Sequence, residues 1–137
     1  MKPLMNLRLA LLLIAVFASG TAERASAAAS CPYGSDPTTI AAAIRQSGSC
    51  RDAAALGDQC AFGATADVAL QDAVIAVCEQ AFLPTLKRDQ HYAYHLERSH
   101  CRTRYAQMEG GSSASAAAMC EGKVAQRYAA AAAKKRH

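Results

Sequence analysis

Several signatures of catalysis and metal binding are missing from this sequence. It contains no CxxC pair, so the usual spacing of a structural zinc site is absent, and no nucleophile elbow or phosphate-binding loop can be found. Alternating runs of β-branched residues, which indicate strands, are also absent, while alanine dominates. These absences predict an all-α protein that is not an enzyme and needs no cofactor.

The N-terminal region has the three parts of a secretory signal. Lys2 and Arg8 are basic, residues 9–18 are apolar, and Ala25-Ser26-Ala27 is a small-x-small cleavage site. The apolar run is short for a membrane span, which takes about 20 residues, so a membrane anchor is the weaker alternative. Cys31 lies too far beyond the run for a lipoprotein. We therefore expect export to the periplasm or the medium.

Removal of residues 1–27 leaves residues 28–137, a length that predicts one small domain. No second apolar run of membrane length follows, so we expect no transmembrane segment in the mature chain. The formal charge falls from +4 to +2 because three basic residues and one acidic residue leave with the signal. So small a charge argues against nucleic acid as a partner.

Six cysteines follow the signal, and an even number in a small exported chain predicts a disulfide framework rather than a metal site. They are Cys31, Cys50, Cys60, Cys78, Cys101 and Cys120. The number alone leaves 15 possible connectivities.

Capping residues and helical periodicity predict five helices. Asp36-Pro37 starts the first, and Ser49 starts a short second helix that ends at Gly57. Residues 58–64 are expected to form a loop, and the third helix runs from about residue 65 to Pro84. The fourth is expected over residues 85–108, with Met108 on its apolar stripe, and the fifth over residues 113–134.

The last two helices, joined by Gly110-Gly111, predict an antiparallel hairpin. Cys101 lies nine residues before Gly110, and Cys120 lies nine after Gly111. Residues equidistant from a short turn lie side by side, and a disulfide needs Cα atoms about 4.4–6.8 Å apart. We therefore predict a Cys101–Cys120 bridge in a small disulfide-stapled helical bundle.

Two features of the fourth helix suggest other functions. His91 and His95 are four residues apart and could share a metal ion, although no third ligand is apparent and two solvated histidines are the simpler interpretation. A basic stripe of Lys87, Arg88, Arg98 and Arg102 could meet anionic polymers of the cell envelope. A metal-binding or structural envelope protein is thus the alternative to a protein-binding module.

The second half of the chain resembles the lysozyme inhibitor LprI-like family of small exported bacterial proteins. The resemblance is carried by Leu86, Gln90, Cys101, Gly110-Gly111-Ser112, Cys120 and Arg127, and an earlier cysteine pair resembles Cys50 and Cys60. Two positions depart from the family pattern, since Ala93 stands in place of a tryptophan and Glu97 in place of an arginine.

The resemblance implies that the chain binds a lysozyme and blocks its active-site cleft. The turn after residue 109 is the expected projection, with Gly110, Gly111, Ser112 and Ser113 as binding residues. Many lysozymes are basic, however, and a net charge of +2 provides no attraction. The resemblance and sequence closeness also imply a Cys50–Cys60 bridge, which leaves Cys31–Cys78 by elimination.

Overall fold

The computed structural model describes residues 30–136, and in this range the protein is an all-α bundle of five helices. The predicted signal peptide lies outside the described residues. The helices are α1 (Pro37–Arg45), α2 (Cys50–Gln59), α3 (Asp67–Phe82), α4 (Arg88–Tyr105) and α5 (Gly111–Lys134), with a 3₁₀ turn at Leu83–Thr85. The predicted fold class and the number of helices are confirmed.

The predicted capping residues start α1 and α2. The Asp36 carboxylate accepts the Thr39 backbone N–H at 2.8 Å, and the Ser49 hydroxyl accepts the Asp52 N–H at 3.1 Å. Each contact satisfies a backbone donor that has no partner within its helix. The local sequence therefore determines where these two helices begin.

Several predicted boundaries were wrong by two or three residues. Gly57 does not end α2, which continues to Gln59. This glycine instead allows close packing against α3, since a Cβ here would lie 2.7 Å from Val74 Cγ2. Pro84 falls inside the 3₁₀ turn, so α4 begins at Arg88 and not at residue 85. Met108 lies beyond the end of α4 and is 47% exposed, although the sequence predicted it on the apolar stripe.

The central helix is α3, which packs against α1, α2 and α5, while α4 packs mainly on α5. The start of α3 lies beside the start of α5, because the Ser115 hydroxyl reaches Asp67. These two helices therefore run parallel, and α4 runs antiparallel to both. Buried residues of α1 and α3 form much of the core, and an aromatic cluster joins α3 to α4 and α5 through Phe82, Tyr94 and Tyr128.

The predicted Cys101–Cys120 bridge is confirmed, with Cα atoms 5.6 Å apart. It links α4 to α5, which pack against each other as the predicted antiparallel hairpin.

The other two predicted pairings were wrong, because the structure joins Cys31 to Cys60 and Cys50 to Cys78. Cys50 is the first residue of α2, and Cys60 caps its last turn. Ten residues of α-helix separate them by about 15 Å, far beyond the reach of a disulfide. Each cysteine of α2 therefore bridges to a different segment.

Candidate functional site

The turn between α4 and α5 was the predicted binding projection, and the structure places it at one end of the bundle. Gly110 has φ +83°, a left-handed conformation that favours glycine, and its carbonyl accepts the Ser113 hydroxyl at 2.7 Å. Gly111, Ser112 and Ser113 form the first turn of α5. The exposed connection is therefore residues 106–110, so the projection starts earlier than predicted and includes Met108.

A second loop, residues 60–66, lies at the same end and is held by the Asp67 carboxylate. Asp67 Oδ1 accepts the Phe62 N–H at 2.7 Å, while Oδ2 accepts the N–H groups of Gly63 and Ala64 at 2.9 and 3.3 Å. Asp67 is only 1% exposed. Hydrogen bonds from several backbone N–H groups satisfy a buried carboxylate and fix the path of the loop that donates them.

Two contacts join this loop to the α4–α5 connection. The Ser115 hydroxyl donates to Asp67 Oδ2 at 2.5 Å, and Gly111 lies so close to Thr65 that a Cβ there would be 2.9 Å from its hydroxyl oxygen. The Cys31–Cys60 bridge attaches a third segment, residues 30–36, to the second loop. We call residues 30–36, 60–66 and 106–111 together the loop end.

Each segment of the loop end exposes one large apolar side chain. Tyr33 is 49% exposed, Phe62 is 41% exposed and Met108 is 47% exposed. The two other large apolar side chains that the described residues expose, Tyr92 and Leu96, lie on the outer face of α4. The loop end therefore presents apolar groups on a backbone that hydrogen bonds and a disulfide hold in place.

The loop end is acidic in its charges. Its three segments contain no lysine or arginine, and they expose Asp36 and Glu109. Hydrogen bonds from the Thr39 hydroxyl and backbone N–H hold the pKa of Asp36 below its usual value, so this carboxylate is charged at neutral pH. The nearest cation along the chain is Arg104, whose guanidinium lies over the Tyr105 ring, 5.6 Å from the ring centroid.

The basic stripe predicted on α4 does not form a continuous cationic surface. Arg98 is paired with Glu79 of α3 at 3.0 Å and with Glu121 of α5 at 2.8 Å, and Arg102 also pairs with Glu121. The Tyr94 hydroxyl donates to Glu79 at 2.7 Å. These ion pairs and this hydrogen bond join α4 to α3 and α5. Glu79, like Asp67, is thus committed to internal contacts, although acidic residues spaced along a helix usually face solvent.

The suggested metal ligands His91 and His95 lie in the first half of α4, where His91 is partly exposed and His95 is exposed. The His95 ring lies against that of Tyr94, with centroids 5.3 Å apart. Within residues 30–136, no group of three or more histidine, cysteine or acidic side chains is arranged to hold a metal ion. The two-histidine site stays a prediction that zinc or copper titration can test.

Within the same range, none of the helices is long and apolar enough to cross a membrane. The three disulfides are consistent with an oxidising environment outside the cytoplasm. Comparison with known proteins finds no matching family model, no matching curated protein and no matching solved structure.

Proposed function

We propose that this protein is an exported binding protein that docks through its loop end onto another protein, and that a lysozyme is its candidate partner. The observation that carries the proposal is the Asp67 clamp, which fixes the backbone of residues 62–64 and joins it to α5 beside the α4–α5 connection, while Phe62 and Met108 stay exposed. The lysozyme itself comes from the family resemblance. The activity proposed is occlusion of its cleft, without chemistry by this chain.

A rigid projection favours binding because little conformational freedom is lost on association. The backbone of residues 62–64 is already fixed by Asp67, and Cys60 is tied to Cys31. Exposed aromatic and methionine side chains are enriched at the centres of protein interfaces, where a few residues provide most of the affinity. Tyr33, Phe62 and Met108 are such groups on the loop end.

Charge also favours a basic partner. The mature chain has a small net positive charge, but local charge near the contact governs the steering of association. Since the loop end exposes Asp36 and Glu109 and contains no lysine or arginine, it can approach a basic protein without repulsion. The objection raised by the overall charge of +2 therefore does not apply to this surface.

The test is a cell-wall lysis assay in which purified oxidised protein is titrated against lysozyme. We expect inhibition, and we expect the double variant Phe62→Ser, Met108→Ser to weaken it at least about thirtyfold, the effect of losing one hot-spot contact of about 2 kcal/mol. The matched control is Tyr92→Ser, Leu96→Ser, which removes the two exposed apolar side chains of α4.

Wild-type inhibition that the control retains and the loop-end variant loses supports the proposal. Absence of inhibition by the folded wild-type protein rules out lysozyme as the partner. Inhibition that the loop-end variant keeps in full rules out the loop end as the contact surface. Circular dichroism of each variant establishes that the helices are intact.

A further inference from the structure

The end of the bundle opposite the loop end is strongly basic. Seven exposed cationic side chains come together there from four segments of the chain: Arg45, Arg51, Lys87, Arg88, Lys134, Lys135 and Arg136. We call these residues the basic end. Three acidic residues lie near them, namely Asp52, Asp89 and Asp58, and Asp58 is paired with Lys123 at 2.7 Å. Among residues 30–136, every ion pair involves other cations, so none of the seven is neutralised by a carboxylate.

Three of these cations line two concavities at this end of the bundle. A groove of about 950 Å³ runs between α2 and α5 and is lined by Arg51 and Arg136. A smaller cavity of about 320 Å³ between the start of α4 and the end of α5 is lined by Lys135 and again Arg136. The Arg136 guanidinium also donates to the Ala81 carbonyl at 3.4 Å, which places the last residues of α5 against the end of α3.

The walls of both concavities are largely apolar. Alanines of α2 and α5 line the groove, namely Ala54, Ala55, Ala129, Ala130 and Ala133. Leu86 and the Tyr128 ring line the cavity. The groove also carries Asp52 and Asp58 beside Arg51 and Arg136. The cavity combines its apolar wall with Lys135 and Arg136 and has no acidic residue in its lining, a pattern that fits a ligand having an anionic head and a hydrocarbon body.

We propose that the basic end binds the surface of a membrane that contains anionic phospholipid. The headgroup phosphates meet the cations of the basic end, and part of a lipid's hydrocarbon lies against the alanine wall of the groove. This role is independent of the proposed lysozyme contact, which uses the other end of the bundle.

Charge alone would also attract an anionic polymer, but a hydrated polyanion gains nothing from alanine walls. An anionic lipid offers both the phosphate and the apolar surface, so the paired features favour it. Such binding is peripheral, since the described helices do not cross a membrane. With 24 residues, α5 spans about 36 Å, so a bundle bound by its basic end would hold the loop end well away from the lipid.

The experiment measures binding of the exported, processed protein to vesicles of neutral phosphatidylcholine with and without phosphatidylglycerol. We expect binding only to the anionic vesicles, and weaker binding as salt rises. The triple variant Lys134→Gln, Lys135→Gln, Arg136→Gln should bind about a hundredfold more weakly, at about fivefold per cation. The control triple Arg102→Gln, Arg104→Gln, Arg127→Gln makes the same charge change away from both concavities and should bind nearly as well as the wild type.

A second experiment distinguishes an anionic lipid from an anionic polymer as the ligand. Ala130→Gln places a polar side chain on the groove wall and should reduce binding to anionic vesicles severalfold, while weak binding to polyglutamate stays unchanged. The proposal is overturned if the two triple variants bind vesicles equally, if neutral vesicles bind as well as anionic ones, or if Ala130→Gln has no effect on vesicle binding. The triple variant of residues 134–136 and Ala130→Gln should inhibit lysozyme as well as the wild type does, because neither changes the loop end; loss of inhibition in them would contradict the independence of the two surfaces.

Discussion

The Ser115 hydroxyl lies 2.5 Å from the Asp67 carboxylate, although 48 residues separate them in the sequence. Through this contact the N-terminal part of α5 is joined to the first turn of α3, and the loop before α3 is held by the same carboxylate. One buried acidic group therefore orders the loop before α3 and joins it to the helix that follows the α4–α5 connection.

This arrangement predicts a large effect of Asp67→Asn on stability. The amide loses the charge and one of two acceptor atoms, so backbone donors of residues 62–64 are left poorly satisfied. We expect a loss of about 2–3 kcal/mol in the free energy of unfolding, and about 1 kcal/mol for Ser115→Ala. Urea unfolding without reductant measures both.

The double variant should lose less than the sum of the two single losses, because both changes affect one interaction. Asp72→Asn on the exposed side of α3 is the control and should change stability by no more than about 0.5 kcal/mol. An Asp67→Asn variant as stable as this control would contradict the clamp.

Gly122 of α5 faces the buried Gln71 of α3, and a Cβ at this glycine would overlap the Gln71 side chain. Alanine normally favours a helix over glycine by about 1 kcal/mol. Here we expect Gly122→Ala to destabilise the protein by about 1–3 kcal/mol, since overpacking outweighs propensity. Gly48→Ala is the control, because a Cβ at this position would meet no atom within 4 Å. Thermal melting compares the stability of the two variants. Adding Gln71→Ala should recover part of the loss; a stabilised Gly122→Ala protein would show that α3 and α5 are not this close.

The disulfide pairing predicts which thiol is released when one partner is removed. In Cys50→Ser, the free thiol should be Cys78, because these two cysteines are bridged. Alkylation in denaturant at acidic pH, followed by peptide mapping, identifies the labelled residue. A label on Cys60 would instead support the pairing of Cys50 with its neighbour in the sequence. Removing both Cys50 and Cys78 should cost about 2–5 kcal/mol of stability.

The environment of Tyr94 predicts that the free energy of unfolding decreases at alkaline pH. Burial raises the pKa of its hydroxyl above the usual value of 10.0, and the hydrogen bond to Glu79 raises it further. Below about pH 10 both folded and unfolded chains keep this proton, so the stabilisation is complete. At higher pH the unfolded chain loses the proton first, and stability therefore falls.

Phenolate absorbance during alkaline titration should show a late ionisation that coincides with loss of helix. Tyr94→Phe should remove that component, whereas Tyr92→Phe on the exposed face of α4 should leave it in place. Ionisation of Tyr94 in a chain that is still fully helical would contradict its buried hydrogen bond.

Features that depend on near neighbours along the chain could be predicted from the amino-acid sequence. Asp36 and Ser49 cap helices because their side chains reach backbone donors three residues away. The Cys101–Cys120 bridge was predictable because a hairpin with a short turn aligns residues at equal distances from it. The all-α class followed from composition and periodicity, which act along the whole chain.

Contacts between distant residues, in contrast, depend on how the helices pack. Cys50 and Cys60 are close in sequence but lie at opposite ends of α2. Helix packing therefore brings Cys50 beside Cys78, and Cys60 is bridged to Cys31. Asp67 has the local pattern of a solvated acid, yet the parallel arrangement of α3 and α5 buries it beside Ser115. The separation of an acidic loop end from a basic end likewise arises from helix directions, because residues far apart in the chain add their charges only where folding places them together.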